Sequence, residues 1–409
     1  MWFLANPRKA LAQTLPACGT QSKAQFLILS TSAAGDPINA NVPGCYGDPA
    51  IKHSADPQMA ATGLRLGSQQ VTAAKPWASL PQAVLDRTSF WHLMTRTPVH
   101  PDEPDVLKLM GAIRPSEMFP SALSKHLALC LGTVQPQPIT VGAQNPSEGL
   151  SYDGGALPIL PPVALRDTLL SKAGPITTLQ PLRDQTLNEI AGILKQGSTP
   201  AQRQYVDSLL HSQELVRNIP QNLLSALSAI NNNSIDAQIT AAVTLIKMKV
   251  SPVIVLKFDF GGDNHNDTGL VRETAQTVAS VAGIANMLQQ LKNEGLEDQV
   301  SFLSLNVFGR TLGVPASGNG RNHNANHQVS IAIGKPFKPG VIGGVAPVGR
   351  DYGAVTINSS TGAPSSSGDV PPTDTLASFG KSVMAAVGIA QPTIDSLIPG
   401  GKVIRGGLA

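Results

Sequence analysis

PVIVLKFDFGGDNHND (Pro252–Asp267) carries the clearest sign of the chain's architecture. It opens as a β-branched, apolar run without polar alternation, the pattern of a strand buried on both faces of a parallel sheet. At a glycine pair it breaks into short polar side chains. Downstream, Leu270–Asn293 repeats apolar residues at helical spacing, with Val271, Ala275, Val278, Ala282, Ala285 and Leu288 on one face and Gly295 as its stop. Gln299–Val307 (QVSFLSLNV) reads as a second buried strand and Val329–Gly334 (VSIAIG) as a third. Strand, polar loop, helix, strand is the βαβ unit of a parallel sheet.

Nearer the N-terminus, Gln25–Ser30 (QFLILS) has the same strand character and opens into a long Gly/Pro/Asn-rich loop, Thr31–Trp77. Periodicity predicts helices over Leu80–Arg96, Pro104–Ala112 and Pro120–Leu131, and a strand over Gln137–Gly142. From Pro161 to Met248 the pattern is almost wholly helical, with breaks at Pro and Asn. A Ser/Gly-rich loop (Thr361–Pro372) precedes a helix that starts near Thr373. GVIGGVAPVG is glycine-rich but does not sit between a strand and a helix, so it is no dinucleotide fingerprint. The expected architecture is one α/β domain over residues 1–409. Its central, largely parallel sheet is flanked by helices, with a helical insertion at 161–250.

Composition narrows the function classes. The 409 residues carry 30 basic and 27 acidic side chains, a formal charge of +3, which argues against a nucleic-acid binder with its concentrated basic face. No stretch approaches the ~18 apolar residues of a membrane span. The N-terminus MWFLANPRKALAQTLPAC places its basic pair after the apolar residues, the reverse of a secretory signal, so a signal was either trimmed or never present. Cys18, Cys45 and Cys130 are too few for a disulfide framework or a thiolate zinc site. They read as small apolar core residues; if one pair oxidises, Cys18 with Cys45 is the expected pair.

Ligands of open α/β sheets sit outside the carboxyl ends of the strands. Three strands here feed polar loops: one towards Asp36, one to Asp259, Asp263, Asn264, His265 and Asp267, and one to Asn306, Arg310, Asn322, His323 and His327. Imidazole with carboxylate suits zinc, iron or manganese, and carboxylate with amide oxygen suits calcium or magnesium. Arg310 is placed to clamp an oxyanion bidentately. The bland alternative is turn chemistry, in which Asn and Asp bond their own backbone. His126 and His211 fall on helices as packing or surface residues, whereas His92 and His100 bracket a segment (HLMTRTPVH) that could return to the site.

The blocks AAGDPINANVP (Ala33–Pro43), GGDNH (Gly261–His265), NVFGRT (Asn306–Thr311) and GRNH (Gly320–His323), in that order, resemble a bacterial family of usually exported proteins. This is the domain-of-unknown-function family fifteen-oh-one of the alkaline-phosphatase/sulfatase superfamily. The likeness is good over about 252–350 and weaker over 24–110. It implies an alkaline-phosphatase-like sandwich, a periplasmic or extracellular location, and metal ligands at Asp36, Asp263, His265 and His323, with His327, Asp259 and Asp267 able to compensate by shifting the ion. One or two divalent ions (zinc, manganese, calcium or magnesium) would serve a phosphate or sulfate ester of a small molecule or glycan, with Arg310 facing the oxyanion. Two positions depart from the family. Val307 stands where an acidic residue is expected before F-G-R-T, and Asn322 where an aspartate is expected before the last histidine. Thr88 and Ser89 are the candidate nucleophiles. The leading expectation is therefore a metal-dependent hydrolase with a reduced site. Its rival is a catalytically inactive, metal-free scaffold or binding subunit of an exported or cell-envelope assembly, with protein partners. A third expectation is glycan binding through Asn, Asp and Trp contacts.

Overall fold

The computed structural model describes residues 16–142, 148–170, 180–200, 202–203, 206–207, 210, 221–315 and 319–409. In chain order the strands are β1 (Phe26–Ser32), β2 (Ala61–Leu66), β3 (Gln69–Ala74), β4 (Thr88–Leu93), β5 (Ile139–Thr140), β6 (Ser151–Tyr152), β7 (Gly155–Ala156) and β8 (Val253–Leu256). They continue as β9 (Val300–Asn306), β10 (Gly309–Pro315), β11 (Arg321–Asn324), β12 (Gln328–Ile333), β13 (Gly340–Ile342), β14 (Val345–Val348) and β15 (Asp351–Ala354). Seven of them form one sheet in the order β13-β4-β12-β9-β1-β8-β5. β1 pairs in parallel with both β8 and β9, β5 with β8, and β13 with β4, while β12 runs antiparallel to β9 and β4. The expected α/β class is observed: a mixed, mostly parallel sheet between layers of helices.

The central strands are apolar on both faces because both faces are covered. Phe26, Ile28, Ile254, Leu256 and Phe302 join the core shared with the helices Ile235–Lys247 and Val271–Asn293. Their alternates Leu27, Leu29, Val253, Val255, Leu303 and Leu305 join the opposite core, with the helices Phe119–Leu131 and Thr375–Ala386. This two-residue alternation between two cores is what the unbroken apolar runs encode.

Several local expectations are corrected. Leu80–Arg96 is not a helix: a short turn of helix, Gln82–Leu85, leads into β4, whose six residues are all buried. The β-branched and aromatic TSFWHL prefers a pleated, covered position to a helical stripe. The loop Thr31–Trp77 contains the hairpin β2–β3, turned at Gly67, whose φ is +59°. The presumed loop after Phe308 is a second hairpin, β10–β11. On the long helix the buried stripe runs through Val281, Ile284, Met287 and Leu291, and Val271 is 69% exposed, so the apolar face lies one position from where periodicity set it. Within 161–250 the described helices are Pro162–Leu170, Gln180–Gln196, Gln221–Ser228 and Ile235–Lys247. The last of these is a core helix packed on β8. The C-terminal helix begins at Thr375, after a 3-10 turn at Pro372–Asp374.

The cysteines also depart from expectation. Cys18 and Cys130 form a disulfide across 112 residues, and Cys45 is the buried free thiol. The bond fastens the start of the described chain to the end of the Phe119–Leu131 helix.

Candidate metal centre at the carboxyl edge of the sheet

Four parallel strands end on one edge. β1 runs into Ala33–Asp36, β4 into Met94–His100, β8 into Asp259–Asp267 and β9 into Phe308–Arg310. Hairpin β10–β11 folds back over this edge and carries Asn322 and His323.

Asp263 is the hub. Its Oδ1 lies 3.1 Å from Arg310 Nη2, 3.3 Å from His265 Nε2 and 3.8 Å from His323 Nε2, and its Oδ2 lies 3.7 Å from His100 Nε2. Partial burial alone would raise the Asp263 carboxyl. The charge and hydrogen bond of Arg310 outweigh it and hold the group below its usual range. Burial lowers the His323 imidazole, partly offset by its bond to Pro98. Phe308 stacks under His323 with ring centroids 4.3 Å apart and meets His100 edge-on.

The three imidazoles share a feature that sequence cannot display. His323 Nδ1 faces the Pro98 carbonyl at 2.5 Å, His100 Nδ1 faces the Ala33 carbonyl at 2.7 Å, and His265 Nδ1 faces Asn322 Oδ1 at 3.1 Å. Oxygen acceptors on Nδ1 require the proton there, which leaves every Nε2 with a lone pair. Those Nε2 atoms turn towards the Asp263 carboxylate, and the two of His265 and His323 are 2.8 Å apart. Two bare lone pairs at that distance repel, so the pair takes a shared proton or a cation. Nitrogens oriented by Nδ1–H bonds to outer oxygens are the usual arrangement behind a metal-binding histidine. His100, Asp263 and His323 have ligand atoms close enough together to hold one ion.

The remaining expected residues take other places. Arg310 is wholly buried. Its Nε donates to Gly35 O, its Nη2 donates to Ala34 O and reaches Asp263, and its Nη1 meets no acceptor among the described residues. The guanidinium therefore lies beneath the carboxylate. Asp36 is 1% exposed and lies under the loop, its Oδ1 accepting from the Phe260 and Gly262 amides. The structure does not bring His327 to this group. It joins His92 and Cys45 in a separate, fully buried cluster. The candidate nucleophiles Thr88 and Ser89 are buried inside β4, with Thr88 donating to Val84 O and Ser89 accepting from Trp91 Nε1. Trp77 and Trp91 are also buried and offer no glycan platform; Trp2 and His211 lie outside the described residues.

Sequence reasoning missed a buried pair that fixes these loops. Arg321 binds Glu273 through Nε and Nη2 at 2.8 and 3.1 Å, and Glu273 also accepts from Asn41 and Asn264. Arg321 and Glu273 are 48 positions apart, and nothing in their neighbourhoods marks them as partners.

No family model matches the sequence, and no curated protein is significantly similar to it. Among solved structures the chain is similar to Ps i-CgsB in complex with k-i-k-neocarrahexaose, at 9% identity and a TM-score of 0.35, over 92% of this chain and 76% of that one. A likeness of that size supports no functional argument.

Proposed function

We propose that the chain is a metal-dependent hydrolase of a phosphate or sulfate ester, acting through one divalent ion held by His100, Asp263, His265 and His323. The observation that supports this is the set of Nδ1–H bonds, which leaves three Nε2 lone pairs and one carboxylate facing each other at the strand ends. Three nitrogens and one anionic oxygen suit zinc better than calcium or magnesium, which prefer oxygen alone. When bound, such an ion polarises an ester oxygen and lowers the pKa of water.

The chain's own residues divide the remaining work. Pro98 O, Ala33 O and Asn322 Oδ1 orient the three rings, and Phe308 supports His323 and His100 from below. Arg310 acts by holding the Asp263 carboxylate charged and in place. The Cys18–Cys130 disulfide is consistent with an exported protein. Among the described residues no helix is long and apolar enough to cross a membrane.

One observation favours the second reading, a binding subunit without catalysis. The arginine expected to meet the oxyanion is buried and committed to Gly35, Ala34 and Asp263. Elemental analysis of purified protein, followed by zinc titration and assays with an aryl phosphate and an aryl sulfate, separates the two. Stoichiometric zinc with turnover is the expected result. Zinc without turnover on any ester supports the binding subunit, and no metal uptake sinks the hydrolase.

A further inference from the structure

Behind the centre lies a buried polar chain that the proposed chemistry does not use. Asn39 grips the backbone of Arg310 from both sides: its Oδ1 accepts from Arg310 N at 2.9 Å and its Nδ2 donates to Arg310 O at 2.8 Å. The second proton on Nδ2 points to His327 Nδ1 at 3.2 Å. His327 Nε2 is 2.9 Å from His92 Nδ1, and His92 Nε2 is 3.0 Å from Pro43 O. All these side chains are buried.

The protons in this chain can be placed from its two ends. Pro43 O is only an acceptor, so His92 carries its proton on Nε2 and its Nδ1 accepts. His327 therefore donates from Nε2 and accepts at Nδ1 from the Asn39 amide. Both rings are neutral and every nitrogen is used, so neither has a lone pair left for an ion. The backbone is shaped around the chain. A Cβ on Gly309 would lie 2.2 Å from His327 O and 2.8 Å from Asn39 Cγ, and one on Gly44 would lie 2.6 Å from His92 Nε2.

We infer that Asn39, His327 and His92 are positioning residues for the metal centre: they lock the Arg310 backbone so that its guanidinium holds Asp263 towards the three imidazoles. The inference rests on the metal reading of that centre. It gives the His92–His327–Cys45 cluster, whose ligand atoms are also close enough for an ion, a role as support instead of a second metal site.

The test uses the full chain. Asn39→Asp keeps the acceptor for Arg310 N but loses the donor to Arg310 O and His327. Zinc affinity should fall about tenfold, as when an outer partner of a ligand is lost. In metal-free protein, the Arg310 Nε–H proton should lose its protection from exchange in the NMR spectrum. His327→Gln can accept from Asn39 and donate to His92 through its amide, so it should stay within about threefold of wild type in affinity, guarding against a variant that merely misfolds. Nitrogen NMR should show Nε2–H tautomers for His92 and His327. Unchanged Arg310 protection in Asn39→Asp, or lost protection with unchanged zinc affinity, overturns the inference. A thiolate charge-transfer band on cobalt binding also overturns it, because Cys45 would then be a ligand. A wild type that takes up no zinc sinks the metal reading before any variant is made.

Discussion

Among the described residues, two histidine clusters are built in opposite senses. His100, His265 and His323 sit at the rim, with protons on Nδ1 held by outer oxygens and lone pairs facing inward to a carboxylate. His92 and His327 lie in the interior, stacked with centroids 5.1 Å apart, each donating from Nε2 and accepting at Nδ1. The first cluster concentrates acceptors that take a shared proton or a cation, while in the second the ring nitrogens pair donor with acceptor. Ring spacing is similar, 4.6 Å between centroids at the rim and 5.1 Å inside, so the chemistry follows from which nitrogen each neighbouring oxygen occupies.

The largest expected effect comes from breaking the buried cluster. His92→Ala opens a cavity and strands the Pro43 carbonyl and the His327 donor, which should cost about 3–4 kcal/mol in urea unfolding. An unaltered unfolding midpoint would mean the chain of hydrogen bonds is not formed. At the rim the same change should act on metal instead of folding. His265→Ala or His323→Ala should weaken zinc by more than about a hundredfold, beyond the usual loss from an outer partner. Metal-free stability should move by no more than roughly 0.5 kcal/mol, as for most surface changes. Equal stability losses at rim and interior would erase the distinction between the clusters.

Acid separates the clusters next. Burial, partly offset by the bond to Pro43, holds His92 down at about 4, against an ordinary value near 6.5; its titratable neighbours are His327 and Cys45. Between these values the unfolded chain binds a proton that the fold refuses. His92's contribution is therefore complete above pH 6.5 and is lost as pH falls towards 4. The slope is about 1.4 kcal/mol per pH unit, or about 2 kcal/mol by pH 5. The difference in stability between wild type and His92→Gln, measured from pH 7 to 5, should show this slope; a flat difference would mean that His92 titrates normally. The smallest effect is expected for Asn322→Ala, which removes only the oxygen that orients His265. Zinc affinity should drop about tenfold with the ligand set intact, and no change would mean that His265 needs no guide.

Much of the fold was legible because it depends on short-range pattern. β1, β8 and β9 appear as unbroken apolar runs, since a strand covered on both sides has no polar face to show. β4 was obscured because an apolar run bounded by helical residues has no period of its own. In the site, Asp263, His265 and His323 stood out as polar residues crowded at strand ends. His100 was less visible: it lies beyond the end of β4, and its place depends on the Ala33 carbonyl, a backbone atom whose role the residue type does not mark.

The amino-acid pattern alone marked β1, β8 and β9 as buried strands and the polar loops that follow them, because burial on two faces and glycine-punctuated polar turns are local properties. It also put Arg310 beside the site. Only the tertiary structure decided that this arginine lies beneath Asp263 and not in front of it, that His327 faces His92 in the interior, and that Cys18 pairs with Cys130. The physical reason is that a side chain's role is set by its hydrogen-bond partners. Several of those partners are backbone carbonyls brought from far along the chain, Pro43 O to His92 across 49 residues and Ala34 O to Arg310 across 276, and they carry no side-chain identity for a sequence to show.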